Sequence, residues 1–317
     1  MNAVNFIPLI MKIKTDIPLY DLVKFRHVHR EVTDSAFGYD NLDPAYRVPG
    51  FELYSSKGLI GSVGPLRSDF YRMSITCQGT LDMQIGLEHY QHQPGTVSFT
   101  YPNQVFAKNN ITAGTFGYYM LFSHTFLDEL LPSVKFADEF PFYAFSGSPV
   151  FTLNENELAK VVELVLQINN ELRQVQTEKV KAVQLYLYLI LLEAKRSYQR
   201  QQLPLETNAN DRNQLVSGFI RLVGRHYLTL RQVSDYADLL AVTPNNLNRA
   251  VKIITGKTAS DTIKEMLLLE AKSLLKYTGQ TVGEIAYHLS FSDPASFNRF
   301  FKSGTGETPL SYRNRAN

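Results

Sequence analysis

The sequence has a single cysteine, Cys77, which excludes an intrachain disulfide framework and any cysteine-built zinc finger. That scarcity fits a reducing, cytoplasmic compartment. No apolar run approaches the roughly 18–20 residues that a bilayer demands. The opening stretch MNAVNFIPLIMKIKTD lacks the basic start and small-residue cleavage site of a secretory leader, so neither export nor a membrane role is expected. Also missing are a Gly-rich phosphate loop, a G-x-S-x-G elbow and an H-E-x-x-H helix.

What is present is ordinary globular composition, 44% hydrophobic and 20% charged, over a 317-residue length that favours two domains. The net charge of +2 conceals an asymmetry. Residues 1–150 carry 11 Lys/Arg against 14 Asp/Glu, residues 151–209 carry 7 of each, and residues 210–317 carry 14 against 9. A basic back behind an acidic front suggests that the C-terminal part alone meets a polyanion.

Aromatic residues divide the chain in the same way, with 24 of the 38 Phe and Tyr in residues 1–150. There FYRMSITCQ (70–78), TLDMQIG (80–86), TVSFTY (96–101) and TFGYYMLF (115–122) have strand length and strand-type residues, and Gly79, Pro94-Gly95, Pro102-Asn103 and Ala113-Gly114 punctuate them. The pattern predicts an antiparallel sandwich or small barrel. Cys77, inside one of these strands, reads as a small packing residue. The period changes at Asn154. ENELAKVVELVLQINNELRQ (155–174) and EKVKAVQLYLYLILLEAKRSY (178–198) read as helices, and the second is apolar around so much of its circumference that it must bury more than one face. Residues 201–213 are polar and read as a linker.

From residue 214 the pattern is all helical and contains a repeat. Val233, Ala237, Leu240 and Val242 match Val282, Ala286, Leu289 and Phe291 at an offset of 49. After a turn the offset becomes 50, with Leu247, Arg249, Lys252, Gly256 and Thr258 matching Phe297, Arg299, Lys302, Gly306 and Thr308. Each unit reads as a helix-turn-helix, with Ala237 or Ala286 at the close crossing and a second helix opened by Thr243-Pro244 or Asp293-Pro294. Leu247, Ala250, Val251 and Ile254 form one buried stripe; Phe297, Phe300 and Phe301 form the other. On the opposite face, Asn245, Asn248, Arg249 and Lys252 recur as Ala295, Asn298, Arg299 and Lys302, with Asn246 and Ser296 beside them in the first turns. Arg and Asn side chains match guanine and adenine edges, and Lys suits phosphate. A lone stripe of this kind is usually just a solvated face, but two copies in register favour DNA reading. Residues 259–277, between the units, read as one helix of roughly 28 Å. That length can space two recognition helices near the roughly 34 Å that separates successive major grooves.

The run IAYHLSFSDPASFNRFFKSGTGETPLSYR (285–313) closely resembles the second helix-turn-helix signature of the AraC/XylS family of bacterial transcription regulators, and residues 233–258 resemble its first. Two departures stand at the turns, where Ala241 and Ser290 replace the usual glycine. In the linking helix, Met266 and Leu267 stand where relatives commonly place an arginine. Residues 60–150 resemble, less closely, the cupin-like sensor domain that many members carry. The resemblance implies a multidomain α and β protein: a cupin-like β-barrel (1–150), a dimerisation helix pair (151–200), the linker (201–213) and a double helix-turn-helix DNA-binding domain (214–317). It further implies a cytoplasmic homodimer, with Leu185, Leu189 and Leu192 at the contact, that binds double-stranded operator DNA, answers to a small organic effector and meets RNA polymerase if it is an activator. No metal or cofactor is implied. The barrel aromatics Tyr71, Phe99, Tyr101, Phe106, Phe116 and Tyr118 are the candidate effector contacts, although sequence alone does not fix which of them face inward. Two other readings compete: a cupin-type metal enzyme with an accessory helical domain, and a regulator without an effector. His27-Val28-His29 with Glu31 imitates the cupin metal motif but precedes the barrel strands, and His89 and His92 read as solvated.

Overall fold

A computed structural model describes residues 19–86, 88–131, 136–144, 147–203 and 211–316. The described residues begin with a short strand β1 (Leu19–Tyr20) and a helix α1 (Leu22–His29). Then come β2 (Phe51–Ser55), β3 (Val63–Ser68), β4 (Tyr71–Gln78), β5 (Leu81–Ile85), β6 (Glu88–His92), β7 (Thr96–Thr100), β8 (Phe106–Asn109) and β9 (Phe116–Phe122). A short helix α2 (Phe136–Glu139) and β10 (Val150–Thr152) precede the long helices α3 (Glu155–Leu172) and α4 (Lys179–Arg200). The C-terminal helices are α5 (Asp211–His226), α6 (Val233–Leu239), α7 (Pro244–Thr255), α8 (Ala259–Tyr277), α9 (Val282–His288), α10 (Pro294–Thr305) and α11 (Pro309–Ala316). No helix among the described residues is long and apolar enough to cross a membrane.

The strands form two five-stranded sheets, in the orders β1-β3-β8-β5-β6 and β10-β7-β4-β9-β2. Every pairing is antiparallel except that of β1 with β3. The expected multidomain α and β class, with a cupin-like double sheet in front and an all-helical domain behind, is the observed one. Each predicted strand is present, and the turns fall where the punctuation stood: Gly79, Gly95, Asn103 and Gly114 all adopt positive φ. Because side chains alternate along a strand, β4 serves two masters. Tyr71 packs against Phe122, Phe136 and Tyr143, whereas Arg72, Ser74 and Thr76 line the space between the sheets. β10 pairs with β7 across residue 150, so the sheet runs past the boundary expected there.

α3 begins with a full capping box on Asn154 and Glu157. Its apolar stripe Val161, Val165, Ile168 and Leu172 is fully buried with Leu187, Ile190, Leu191 and Ala194 of α4. At roughly 1.5–3 kcal/mol for each large apolar side chain removed from water, this seam is what fixes the helix pair on the sheet. Of the expected linker, residues 204–210 lie outside the described residues, and α5 starts at Asp211, earlier than the expected 214.

In the C-terminal domain the two units are built alike. Ala237 and Ala286 are both fully buried, on α6 and α9. Thr243 and Asp293 cap α7 and α10 through bonds to the amides of Asn246 and Ser296, and Gly256 and Gly306 end them in the left-handed conformation. α8 spans the expected 259–277, its start fixed by a Thr258–Asp261 capping box. Ala241 and Ser290 hold φ of 54° and 56°, so the two turns are made without glycine, at some backbone strain. One expectation fails. Ile254 is 48% exposed, because the buried stripe of α7 ends at Val251 and the chain turns away at Gly256.

Candidate nucleic-acid interface and ligand cavity

The exposed faces of α7 and α10 repeat one another. Asn245, Asn246, Arg249 and Lys252 are exposed on α7, as are Ala295, Arg299 and Lys302 on α10. None of the four cations has an ion-pair partner among the described residues. Pro at the first helical position of both leaves no amide to satisfy there, so the first turn can approach another surface closely.

The structure gives the remaining stripe residues other work. Asn248 is half-buried, and its side-chain oxygen accepts from the Ala259 amide (2.9 Å), the first residue of α8. Asn298 is also half-buried and donates to the Pro294 carbonyl on its own helix (3.0 Å). Ser296, half-buried, donates to the Asp293 carboxylate (2.8 Å) and accepts from the Arg299 guanidinium (3.1 Å). The cap bonds at Ser296 and Ser292 lower the Asp293 carboxyl to about 2, so this carboxylate stays ionised and holds Ser296 and, through it, Arg299. Sequence spacing placed the two Asn residues on the outer face but had no means of seeing these local bonds.

α8 is the beam that carries both units. It buries Ile263, Met266, Leu267, Ala271, Leu274 and Leu275, so Met266 and Leu267 are core residues. The Tyr227 hydroxyl donates to the buried Glu270 carboxylate, and the carbonyl of Leu275 accepts from Arg313 of α11 (3.0 Å). The far end of α8 reaches the other domain. The Tyr277 hydroxyl accepts from the Gly64 amide (2.5 Å) and donates to the Gly64 carbonyl (3.0 Å). Gly64 has a φ of 91°, and a Cβ there would lie 2.3 Å from the Phe106 carbonyl, so only glycine lets β3 pass this close to β8.

Between the sheets lies a cavity of about 200 Å³. β4 contributes Arg72, Ser74 and Thr76, β5 contributes Leu81 and Met83, and β8 contributes Phe106 and Lys108. β9 and α1 close it with Tyr119, Phe25 and His29. His29 is neutral with a defined tautomer: its Nδ1–H donates to the Phe25 carbonyl (2.6 Å), so its Nε2 accepts from the Tyr119 hydroxyl (3.0 Å). Burial, outweighing that carbonyl bond and reinforced by Lys108, Arg72 and Arg30, holds its pKa well below the usual histidine range.

Of the six aromatic candidates, Phe106, Phe116 and Tyr118 line this cavity. Tyr71 and Phe99 do not: they are on the opposite face of their sheet, Tyr71 stacked on Phe122 (5.4 Å between ring centroids) and Phe99 tilted against Phe142 (4.0 Å). Tyr101 packs against the core outside the lining. The H-x-H motif falls on α1, where residues two apart point in nearly opposite directions; His27 is exposed while His29 faces the cavity. His92, expected in solvent, is fully buried on β6 against Thr76 (3.1 Å), because that stretch is a paired strand and not a turn. Cys77 is half-buried, and burial raises its thiol pKa. On α4, Leu185 and Leu189 are 46% and 45% exposed, whereas Leu192 packs partly into the core; Leu166 of α3 is also exposed.

Residues 236–315 match a family model described as a helix-turn-helix domain. The transcriptional activator RhaS of Escherichia coli O157:H7 is 27% identical over 166 residues, which cover 51% of this chain and 56% of RhaS. The transcriptional regulator GlxA of Rhizobium meliloti is 38% identical over 80 residues, 25% of each chain. The chain thus spans little more than half the length of RhaS and a quarter of GlxA. Among solved structures, ToxT from Vibrio cholerae aligns over 83% of this chain and 97% of its own at 15% identity, with a TM-score of 0.41.

Proposed function

We propose that this chain, whose residues 236–315 form an AraC-type helix-turn-helix domain, is a sequence-specific DNA-binding transcription regulator controlled by a small organic effector. The observation that carries this reading is the duplicated exposed face, with Arg249 and Lys252 on α7 and Arg299 and Lys302 on α10, mounted on the single helix α8. Residues 19–152 are its sensor, α3 and α4 its dimerisation unit, and residues 211–316 its DNA reader. Double-stranded operator DNA is the partner, RNA polymerase a further one if the regulator activates, and the compartment is cytoplasmic. The protein is not an enzyme in this reading. The histidine pair of the metal-enzyme alternative is split between the two sides of α1.

The route between cavity and reader supports effector control. Lys108 lies opposite Val63 in the β3–β8 pairing, and the next residue, Gly64, is held at both its amide and its carbonyl by Tyr277, at the end of α8. A ligand that shifts β8 therefore acts on the beam between the two recognition helices.

The test is selection of the full chain on randomised duplexes at two salt concentrations. Enrichment of a bipartite sequence, with affinity falling steeply as salt rises, is the expected result. Recovery without sequence enrichment refutes specific recognition. For the dimer, Leu189→Asp places a charge in the exposed stripe of Leu185 and Leu189 without touching the buried stripe of Leu187, Ile190 and Leu191. Sedimentation should show the parent as a dimer and this variant shifted toward monomer with an unchanged helical signal. A monomeric parent overturns the assignment of α4.

A further inference from the structure

Among the described residues, the lining of the cavity between the sheets holds two cations and no acid. Arg72 and Lys108 are both buried, and no Asp or Glu lies in the lining. Neighbouring cations are treated differently. Arg26 pairs with Glu52, and one nitrogen of Arg30 donates to both oxygens of Asp40 (2.8 and 2.7 Å). The two terminal nitrogens of Arg72, by contrast, have no hydrogen-bond partner among the described residues. Its guanidinium lies over aromatic faces, 3.5 Å from the Phe106 centroid and 4.9 Å from that of Phe25. The Lys108 ammonium, 5.3 Å from the Tyr119 centroid, likewise has only an aromatic face.

Taking an ion out of water costs several kcal/mol unless a counter-ion and hydrogen bonds replace the solvent. Aromatic faces return a small part of that. Burial lowers the pKa of both groups, and in Lys108 the neighbouring Arg72 and Arg30 add to the effect. A fold that gives Arg26 and Arg30 their carboxylates but leaves these two without one among the described residues has a place for an added anion.

We propose that the cavity binds a small organic carboxylate, its carboxyl group between Arg72 and Lys108 and its apolar body against Leu81, Met83 and Ile111. The planar guanidinium suits two-point contact with a carboxylate, and the ammonium adds a point charge. Size sets a limit: a dry cavity near 150 Å³ accepts benzene, so about 200 Å³ admits roughly eight to ten non-hydrogen atoms. A sugar fits less well, because the hydroxyls of Ser74, Thr76, Thr112 and Thr115 already have partners within the protein. Inorganic phosphate would meet the cations but leave the apolar wall without contact. The proposal rests on the sensor reading of the N-terminal domain, and it names the chemistry of the effector.

The experiment is thermal melting of the full chain with straight-chain carboxylates from acetate to octanoate, each against its primary amide, at constant ionic strength set with sodium chloride. Stabilisation that grows with chain length for the acids, and is absent for the amides, is expected. Arg72→Met and Lys108→Met should each weaken binding of the best acid by about tenfold or more, as for loss of a charge-assisted bond. Both should melt, without ligand, no lower than the parent, since each replaces an uncompensated charge with an apolar chain. That second measurement separates a ligand anchor from a structural residue, whose loss lowers the melting point. If no acid exceeds its amide, if phosphate alone stabilises, or if both variants bind undiminished, the proposal is overturned. If an acid binds through Arg72 and Lys108 but leaves DNA affinity unchanged, the anion site stands and the sensor reading fails.

Discussion

Alanine at Arg249 is expected to weaken binding to the preferred duplex by about 1–3 kcal/mol, roughly 5- to 150-fold, and to erase sequence preference in one half of the site only. Arg249 is exposed on the outer face of α7, flanked by exposed Asn245 and Asn246. No hydrogen bond or ion pair within the described residues holds its guanidinium, so all of its donors remain for a base edge. Arg299 occupies the equivalent place on α10, but one of its nitrogens already donates to Ser296, and Ala295 leads its helix where Asn245 leads the other. Arg299→Ala should therefore reduce affinity with a smaller change in sequence preference. Lys252→Ala and Lys302→Ala should lower affinity for all sequences alike and reduce the salt slope by about one each, as expected for phosphate contacts. Asn248→Ala supplies the control: it removes the bond to the Ala259 amide, so it should lower the melting temperature while leaving base preference in place. Selection on randomised duplexes at two salt concentrations reads all of these. Unchanged preference in both arginine variants would show that this face does not read bases, and equal losses would refute the asymmetry.

The C-terminal half was legible because its determinants are local. Thr243-Pro244 and Asp293-Pro294 mark helix starts within two residues, Gly256 and Gly306 mark the ends, and apolar spacing fills the intervals. Local signals also gave the limits of α8. The front half depends on pairings between distant segments. β4 lies between β7 and β9, and nothing within FYRMSITCQ tells which of its two faces meets the other sheet. The aromatic candidates consequently divided, with Phe106, Phe116 and Tyr118 at the cavity and Tyr71 and Phe99 behind it. Strands β1, β2, β3, β6, β8 and β10 and the helix α1 carry no comparable local signal, and the basic LVKFRHVH of α1 imitates a metal motif instead. Arg72 and Lys108 were missed although a signal existed. Arg72 shares the phase of Ser74 and Thr76 in a strand whose other face is Tyr71, Met73 and Ile75, so a charged side chain had to enter the interior. The outer face of α4 was half legible: period alone groups Leu185, Leu189 and Leu192, and only the packing of α4 separates the two exposed leucines from the third.

Mild acid is expected to destabilise the N-terminal domain, and His92 to be a principal cause. His92 is fully buried, its Nδ1 is 3.1 Å from the Thr76 hydroxyl and its Nε2 has no partner among the described residues. Burial, aided by the nearby Lys108, lowers its pKa from 6.5 to about 4. The folded chain therefore stays unprotonated at this site in a range where the unfolded chain takes up a proton. Stability from this group is complete above pH 6.5, declines as pH falls through that value, and levels off below about 4. The two pKa values correspond to a loss of about 2 kcal/mol by pH 5. For a domain of this size that is a fall of about 4–8 °C in Tm. His29, also neutral and well below its usual range beside Lys108, Arg72 and Arg30, adds in the same direction. Asp40 and Glu52, whose carboxyl pKa values burial raises, act in the opposite sense, and comparing the parent with a His92 variant over the interval from pH 7 to 5 cancels them. His92→Gln keeps a polar partner for Thr76 and does not titrate. Melting of the full chain across that interval should show the parent losing several degrees and this variant losing distinctly less. Identical pH profiles for the two would mean that His92 is protonated in the folded chain, and hence that β6 does not bury it.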